Sequence, residues 1–316
     1  MRLLAEIKIL PEWDGLMIKE VLYDHLNFSR KSLTKIKNEG DIQLNGISLY
    51  VTRRAATGDV LTLYVPEEDS ENVPPEPVPV DIIYEDDDLV IINKQPGVVV
   101  HPTRNYPSGT IANGMQYYWQ TKGQRFRFRP VNRLDRDTSG LFIVAKNQYT
   151  HHRLALQLEN SQLKRIYHGI VHGKLPAAEG LINAPLIRDP EHSVRRIVDF
   201  NDAAAKSALT RYRVLRESTD FSLAELELLT GRTHQLRAHL AWLGAPLVGD
   251  DMYGGWSVCA DCAHVEPAHV DCAHAYDIAI QRQALHAWEI AFARFHFHAP
   301  YPDDLARFCE WQFPAP

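Results

Sequence analysis

The chain has 316 residues, 45% of them hydrophobic and 23% charged, which is an ordinary globular composition sufficient for one large domain and a small one. Its net charge of -6 argues against nucleic-acid binding over the whole surface, because phosphate neutralisation supplies most of the affinity for such partners, so only local clusters of basic residues can indicate RNA. No segment has the about 20 apolar residues of a membrane span, the N-terminus lacks signal-peptide order, and four cysteines are too few for a disulfide framework, so we expect a cytoplasmic protein.

The first 65 residues form a unit of their own. Apolar residues at helical spacing over 14–26 predict a helix, and a second helix should begin after the cap Ser29 and end at Gly40. A hairpin that turns at Asn45-Gly46 and a further strand should follow. The second helix carries four basic residues with no acid between Ser29 and Asn38: Arg30, Lys31, Lys35 and Lys37. Such a cluster is typical either of a solvated helix face or of a surface that contacts RNA.

This arrangement, with SRKSLTKIKNEG leading into a hairpin, resembles the alpha-L RNA-binding module, which is also found in a small-subunit ribosomal protein. The resemblance covers nearly all of residues 1–65 and implies that the four basic residues contact RNA. Residues 66–80 then contain five prolines, five acids and no basic residue, which predicts an extended, partly polyproline linker to a second domain.

Residues 81–316 alternate short strand-like runs with loops. The runs are DIIYEDDDLVIINK, GLFIVAKN, KRIYHGIVHGKL, ALTRYRVLRE and SLAELELL, and helical pattern is confined to HHRLALQLEN and THQLRAHLAWLG. Many strands joined by hairpin-length loops, with few crossover helices, predict an α+β domain built on a mixed, largely antiparallel sheet. The N-terminal unit is predicted to be a small α/β domain.

A strongly basic stretch, KGQRFRFRPVNRLDR, lies in the middle of the chain. Its period-2 alternation predicts a half-buried strand with Arg125, Arg127 and Arg129 on one face and two phenylalanines on the other. An arginine face of this kind suits RNA phosphates, although an edge strand that is charged to prevent aggregation would have the same pattern.

The carboxylate of Asp135 lies within this basic stretch. Surrounding cations stabilise an ionised carboxylate, which is either an ion-pair partner or a nucleophile in a site that binds a polyanion, and spacing alone does not choose. A second cluster follows Gly231, where Thr233 should cap a helix. Arg237 lies close to the buried stripe of that helix and needs a carboxylate partner, for which Asp135 is the obvious candidate.

Five motifs in order carry a family resemblance: INKQPGVVVHP, RLDRDTSGLFIVAKN, KRIYHGIVHG, GRTHQLRAHLAWLG and GDDMYGG. They resemble the RluA/RluD type of RNA pseudouridine synthase over residues 81–255, and the resemblance resumes at RQALHAWEIAF. It implies a cofactor-free isomerisation of uridine in RNA, in which the bond between the uracil nitrogen and the ribose breaks and the same ribose carbon is rejoined to carbon five of the turned base. An alpha-L module joined to such a domain is a common layout in this family.

The resemblance also implies roles for single residues. Asp135 matches the catalytic carboxylate, which attacks the ribose, attacks the base or abstracts a ribose proton. Tyr167 matches the tyrosine that packs on the base and assists proton removal, although in an apolar strand it would otherwise be a core residue. Arg237 matches the basic partner of the carboxylate. The family most often has histidine where this chain has Asn132, which bears on target preference rather than on activity.

The substrate uridine must be flipped out of folded RNA, which leaves a gap that costs a few kcal/mol unless it is filled. Arg133 is placed to fill it, because a guanidinium plane can stack where a base was. Arg232, just before the second helix, is expected to contact RNA. His234 and His239 are expected to be structural or RNA-facing.

A segment over 256–275 is not part of the family pattern. Cys259, Cys262, His269 and Cys272 have the spacing of a tetrahedral zinc site, with His264 and His274 as alternative ligands. Such a site would be structural, because four protein ligands leave no open position, and a loop with incidental cysteines is the alternative.

The sequence therefore predicts a monomeric RNA pseudouridine synthase that needs no catalytic cofactor and acts on ribosomal RNA, more than on transfer RNA. An inactive RNA-binding or ribosome assembly factor is the main alternative. A retaining glycosidase is disfavoured, because Asp135 and Asp137 do not provide an acid and a base about 5 Å apart across a sugar.

Overall fold

The computed structural model describes residues 1–66, 73–254 and 280–314. Residues 1–66 form a four-stranded sheet of order β1-β4-β2-β3. Its strands are β1 (Arg2–Lys8), β2 (Asp41–Leu44), β3 (Ile47–Ser48) and β4 (Val60–Val65). The helices are α1 (Ile18–Glu20), which continues as a π-helical turn (Val21–His25), and α2 (Arg30–Glu39).

Local signals explain the predicted parts of this unit. The Ser29 hydroxyl accepts a hydrogen bond from the Ser32 backbone N–H and caps α2. Asn45 and Gly46 have φ values of 52° and 79°, as a two-residue hairpin turn requires. Gly40 ends α2 for a different reason, since a Cβ there would lie 2.2 Å from the carbonyl oxygen of Tyr64 on β4. The apolar face of α2 packs on the sheet through Leu33 and Ile36.

The second sheet has ten strands, and its main path is β10-β13-β14-β9-β15-β8-β6-β5. Its strands in chain order are β5 (Asp81–Glu85), β6 (Leu89–Lys94), β7 (Arg129–Pro130), β8 (Ser139–Ala145), β9 (Leu163–His172), β10 (Glu179–Asn183), β13 (Leu209–Glu217), β14 (Phe221–Leu228), β15 (Leu285–Phe292) and β16 (Phe295–His298), and β11 (Leu186–Arg188) pairs separately with β12 (Arg196–Val198). All named pairs are antiparallel except β15 with β8. The prediction of a mixed, largely antiparallel α+β fold is confirmed.

The centre of this sheet is buried on both faces. All seven residues of β8 are buried, which agrees with its continuous apolar run. Gly140 is needed where β8 meets β15, because its φ is 102° and a Cβ would lie 2.3 Å from the carbonyl oxygen of Ala287.

The prediction that residues 81–316 contain only two helical segments was wrong. Besides α4 (Gln148–Glu159) and α5 (Gln235–Trp242), the structure has α3 (Ile111–Thr121) and α6 (Asp303–Gln312). α3 has a weak helical sequence, but Thr110 and Asn113 form a capping box, and the buried Met115 and Trp119 bind it to the sheet. Residues 73–80 are extended and pack on α3, where the Asn113 amide donates to the Pro74 carbonyl at 2.8 Å.

The predicted RFRFR strand was also wrong. Only Arg129–Pro130 pairs as a strand, with the end of β8, and residues 124–128 are irregular. The Gln116 side chain donates to the Phe126 carbonyl at 2.9 Å, so a helix side chain satisfies a group that a sheet neighbour would otherwise bind. Phe128 is buried and Arg125 and Arg127 are exposed, but Arg129 is half-buried, and burial lowers its pKa to about 10. The three arginines therefore do not share one solvent-exposed face.

The two sheets touch through a small contact. The rings of Phe28 and Tyr149 stack at a centroid distance of 4.1 Å, and Arg2 donates to the Asp87 carbonyl at 3.3 Å. Lys35 of α2 and Arg125 line the same groove beside this contact. The basic helix α2 and the basic segment around Arg125 therefore lie side by side.

Within the described ranges, no helix combines the length and the apolar character that a membrane crossing needs. The predicted zinc ligands Cys259, Cys262, His269 and Cys272 lie outside these ranges, and that site stays a prediction.

Candidate active site

Asp135 lies on the loop over 131–138 between β7 and β8, and a buried lysine supports this loop. The Lys94 ammonium, 1% exposed, donates to the carbonyls of Gln95, Val98 and Arg136 at 2.8, 3.0 and 2.7 Å. Burial lowers the pKa of Lys94 to about 7. One of these hydrogen bonds reaches the loop over 131–138 at Arg136, and the other two reach residues 95 and 98 after β6, so Lys94 joins the two segments.

Further contacts hold both ends of the same loop. The buried Asn132 accepts a hydrogen bond from the Ile143 backbone N–H at 3.0 Å, which ties the loop to β8. The Arg282 guanidinium donates to the Asp137 carbonyl at 2.8 Å, and Gln283 donates to the Thr138 hydroxyl at 3.2 Å. Groups from distant parts of the chain therefore fix the backbone on either side of Asp135.

Arg237 reaches Asp135 but binds another acid more closely. Its Nη1 lies 3.4 Å from Oδ2 of Asp135, whereas Nε and Nη2 donate to the two carboxylate oxygens of Asp250, both at 2.7 Å. The Asp250 side chain is fully buried, and that of Asp135 is 29% exposed. Asp135 is thus the secondary partner, because the planar fork of Arg237 matches Asp250 in a bidentate pair through Nε and Nη2 and leaves the Nη1 group for Asp135.

His234 completes this cluster from the start of α5. Its Nε2 lies 3.9 Å from Oδ2 of Asp135, and its Nδ1 lies 3.2 Å from the Tyr253 hydroxyl. Burial lowers the pKa of His234, and the Asp135 charge partly offsets this effect, so the ring is neutral near pH 7. His234 also precedes the helix with a φ of 54°, so the predicted cap at Thr233 was wrong. A left-handed conformation at a non-glycine residue is uncommon and often occurs at functional sites.

Tyr167 lies on β9 at the floor of the same cavity and is 4% exposed. Apolar side chains surround it in this cavity: Leu134, Leu228, Leu236 and Leu285. Burial, together with the nearby Asp135 charge, raises the pKa of Tyr167, so its hydroxyl is protonated at neutral pH. The pocket is therefore apolar below and charged at the rim where Asp135 lies.

A cleft of about 880 Å³ opens from this pocket to solvent. Arg133 and Arg232, both exposed, line it, together with the half-buried Arg165. Arg125 and Arg127 are exposed on the segment that leads to the loop, and Arg30, Lys31 and Lys37 are exposed on α2. Lys35 is half-exposed, 4.0 Å from Glu39. The structure therefore brings Asp135, Tyr167, Arg237, Arg133 and Arg232 together and leaves the other predicted RNA contacts outside the cleft.

Sequence reasoning missed Asp250, Tyr253 and Arg165 as parts of the site. Asp250 and Tyr253 belong to the GDDMYGG motif. An acid of this motif had no assigned partner, and that was the signal that could have identified it. Tyr253 packs under the Arg237 guanidinium at 5.0 Å from its ring centre. Arg165 lies two residues before Tyr167 on β9, and its Nη2 lies 3.4 Å from the Leu228 carbonyl.

Comparison with known proteins agrees with this geometry. The family model described as RNA pseudouridylate synthase matches residues 88–242. An RNA pseudouridine synthase of Bacillus subtilis, YjbO, is 39% identical over 290 residues, which are 89% of this chain and 94% of that protein. Ribosomal large subunit pseudouridine synthase D of Vibrio parahaemolyticus is 35% identical and covers 90% of this chain and 86% of its own length. The solved structure of human RNA pseudouridylate synthase domain containing 4 superposes with a TM-score of 0.57 at 21% identity. The match covers 73% of this chain and 92% of that chain.

The mixed sheet and the loop that presents an acid to an open basic cleft are thus those of an enzyme that modifies RNA. The chain belongs to the RluA/RluD-type RNA pseudouridine synthases, and it is an isomerase that converts uridine in RNA to pseudouridine.

Proposed function

We propose that this synthase acts on structured large-subunit ribosomal RNA and that Asp135 is its catalytic carboxylate. The observation that carries the assignment is the placement of Asp135, which lies on a loop fixed at both ends, at the rim of an apolar pocket, beside a guanidinium that is itself fixed. The names of relatives such as Ribosomal large subunit pseudouridine synthase D favour ribosomal RNA as the substrate.

The reaction is an isomerisation, so no atoms are gained or lost overall. The bond between N1 of uracil and C1′ of the ribose breaks, a bond between C5 and C1′ forms, C5 loses a proton and N1 gains one. Asp135, partly exposed at the mouth of the pocket, is the group that reaches the ribose or the edge of the base. Arg237 holds the carboxylate in place, because only its Nη1 points at Asp135 while Asp250 binds the rest of the fork.

Tyr167 and the leucines around it would hold the detached uracil. Flat apolar walls suit a base that must turn between bond breaking and bond formation, because they favour burial without fixing its edge by hydrogen bonds. The raised pKa of Tyr167 keeps its hydroxyl neutral, which supports the packing role over that of an ionised base.

The basic residues around the cleft would bind the RNA and keep the uridine flipped. Arg133 projects from the loop that carries Asp135, so its guanidinium can occupy the vacated position in the stack while the base enters the pocket. Arg232 lies across the cleft, and Arg125 with Lys35 of α2 extends the basic surface toward the N-terminal unit. We propose that this unit is an alpha-L domain that binds RNA next to the target.

Asp135, Tyr167 and Arg237 converge within one chain, so the proposed chemistry needs no residue of a second copy, and we propose a monomeric enzyme that works in the cytoplasm. No catalytic cofactor is needed for the balance of the reaction. The zinc predicted at Cys259, Cys262, His269 and Cys272 would be structural.

The decisive experiment compares Asp135→Asn with Asp137→Asn, an acid of the same loop that pairs with Arg136 at 2.9 Å. On large-subunit ribosomal RNA transcripts, Asp135→Asn should form no pseudouridine while it binds RNA like the wild type, and Asp137→Asn should retain most activity. A wild-type rate for Asp135→Asn would overturn the catalytic assignment.

The substrate is tested separately with the wild-type enzyme. Modification of large-subunit ribosomal RNA but not of transfer RNA is expected. Modification of transfer RNA alone would identify a transfer RNA synthase, and binding without any modification would identify the alternative, an RNA-binding assembly factor.

A further inference from the structure

We propose that the hairpin of β15 and β16 carries a binding site for a divalent transition metal ion, such as Zn²⁺, formed by Glu289, His296 and His298. This site is separate from the Asp135 cleft. One ligand atom from each residue lies within 4.8 Å of the other two. The site is on the outer surface of the hairpin, with the two histidines exposed and Glu289 partly buried.

The strand register explains why these three side chains converge. Glu289 is paired directly with His298, and Ala291 is paired with His296, so all four residues point to one face of the hairpin. Ala291 contributes only a methyl group, which leaves the space between the two imidazoles open. On the opposite face, Ile290 and Phe292 are buried in the core and fix the register.

The distances match those between ligands of a small metal ion. Nε2 of His296 lies 3.0 Å from Oε1 of Glu289, and Nε2 of His298 lies 3.2 Å from Oε2. Two ligands bound tetrahedrally to Zn²⁺ at about 2.1 Å are separated by about 3.4 Å. An ion therefore needs only small side-chain rotations, and the exposed imidazoles are free to make them.

The two histidines meet different oxygens of one carboxylate, because Nε2 of His296 faces Oε1 of Glu289 and Nε2 of His298 faces Oε2. Imidazole N–H groups can also donate to these oxygens without an ion, so the metal titration described below distinguishes hydrogen bonding from metal binding. A divalent ion bound by two neutral imidazoles and one carboxylate satisfies all three groups at once. With one ligand atom from each residue, a tetrahedral ion would keep one position for water. The exposed Lys164 on β9 is paired with Ala291 on the same face, and its charge would weaken the site without blocking it.

An ion bound here would link β16 to β15, which is a central strand of the large sheet. The expected consequence is a more stable hairpin rather than a change in chemistry, because Asp135 is not part of this cluster.

The test uses full-length protein stripped with a chelator and titrated with CoCl2 and ZnCl2 by absorption and calorimetry. Cobalt distinguishes this site from the predicted cysteine site, because thiolate ligands add an intense near-ultraviolet charge-transfer band that nitrogen and oxygen ligands lack. The wild type should bind one cobalt ion that does not show this band. The double variant His296→Gln/His298→Gln should no longer bind that ion. His192→Gln, which changes an exposed histidine outside the cluster, should bind like the wild type.

Glu289→Gln should weaken binding at least about tenfold. Thermal melting of the metal-free variants should match that of the wild type, which confirms that they are folded. The proposal would be overturned if the double variant bound metal with the same stoichiometry and affinity as the wild type. It would also be overturned if the wild type bound no cobalt ion that lacks the thiolate charge-transfer band.

Discussion

Replacing Asp250 with asparagine should reduce pseudouridine formation strongly although Asp250 does not line the cleft. The carboxylate is fully buried and binds Arg237 through two hydrogen bonds of 2.7 Å, so its loss leaves the guanidinium with one distant anion, Asp135. The Arg237 side chain should then rotate toward Asp135 and form a closer ion pair with the carboxylate oxygen that must react. Orientation by one charge-assisted hydrogen bond contributes about 1.5 to 3 kcal/mol, which corresponds to a decrease in kcat of roughly 10-fold to 100-fold.

The folded state should also lose stability. Removal of one partner from a buried ion pair costs about 3 to 5 kcal/mol, and the asparagine side chain should recover part of this by keeping one hydrogen bond. Single-turnover conversion of an RNA transcript would measure the rate, and urea unfolding would measure the free energy of unfolding. Glu225→Gln is the matched control, because Glu225 also binds one arginine, Arg213, through both oxygens at 3.1 Å, but near the surface.

The control should change the free energy of unfolding by less than about 1 kcal/mol and leave the rate unchanged. If Asp250→Asn turned over at the wild-type rate while folded, Arg237 would not need Asp250 for its position, and the reasoning about the shared guanidinium would be refuted.

Three further changes test other parts of the structure. Lys94→Met should lower the free energy of unfolding by about 3 kcal/mol in urea titrations and reduce activity, because three carbonyls around the buried ammonium lose their donor; a stability equal to that of the wild type would contradict the support given to the loop. Lys31→Gln should reduce the slope of log RNA affinity against log salt by about 0.7 to 0.9 without changing the rate at saturating RNA; an unchanged slope would exclude a phosphate contact at this residue. Burial lowers the pKa of His286 to about 4, so below pH 6.5 the imidazole is protonated in the unfolded chain but stays neutral in the folded chain. The free energy of unfolding should therefore fall by about 3 kcal/mol between pH 6.5 and pH 4. His286→Gln should flatten that part of the pH profile of urea unfolding, and an identical profile would show that other groups cause it.

Features with local causes could be predicted from the sequence. The start of α2 at Ser29 and the turn at Asn45-Gly46 depend on a capping hydroxyl and on left-handed backbone conformations, both of which involve neighbouring residues. β8 was predicted because its apolar run is continuous. α3 could not be predicted in this way, since its stability comes from burial of Met115 and Trp119 against strands far away in the chain.

The site divides in the same manner. The motif around Asp135 carries the family resemblance, so the acid itself could be proposed. The partner of Arg237 could not be derived from spacing, because Asp135 and Asp250 are both near it in space while only Asp250 matches its fork. The exposure of Arg127 and the burial of Phe128 agree with the predicted alternation, but Arg129 does not. Whether a segment becomes a strand depends on which groups its backbone meets, and here one was a glutamine side chain.

The position of β15 has a consequence for the synthesis of this protein. This strand comes late in the chain, yet it lies between β9 and β8 and pairs with β8 at Gly140, directly after the loop that carries Asp135. While the polypeptide is still on the ribosome, β8 lacks this neighbour and leaves an apolar strand edge exposed. We therefore expect the reactive loop to be assembled only after residues 285–292 have been translated, so that an incomplete nascent chain does not modify RNA.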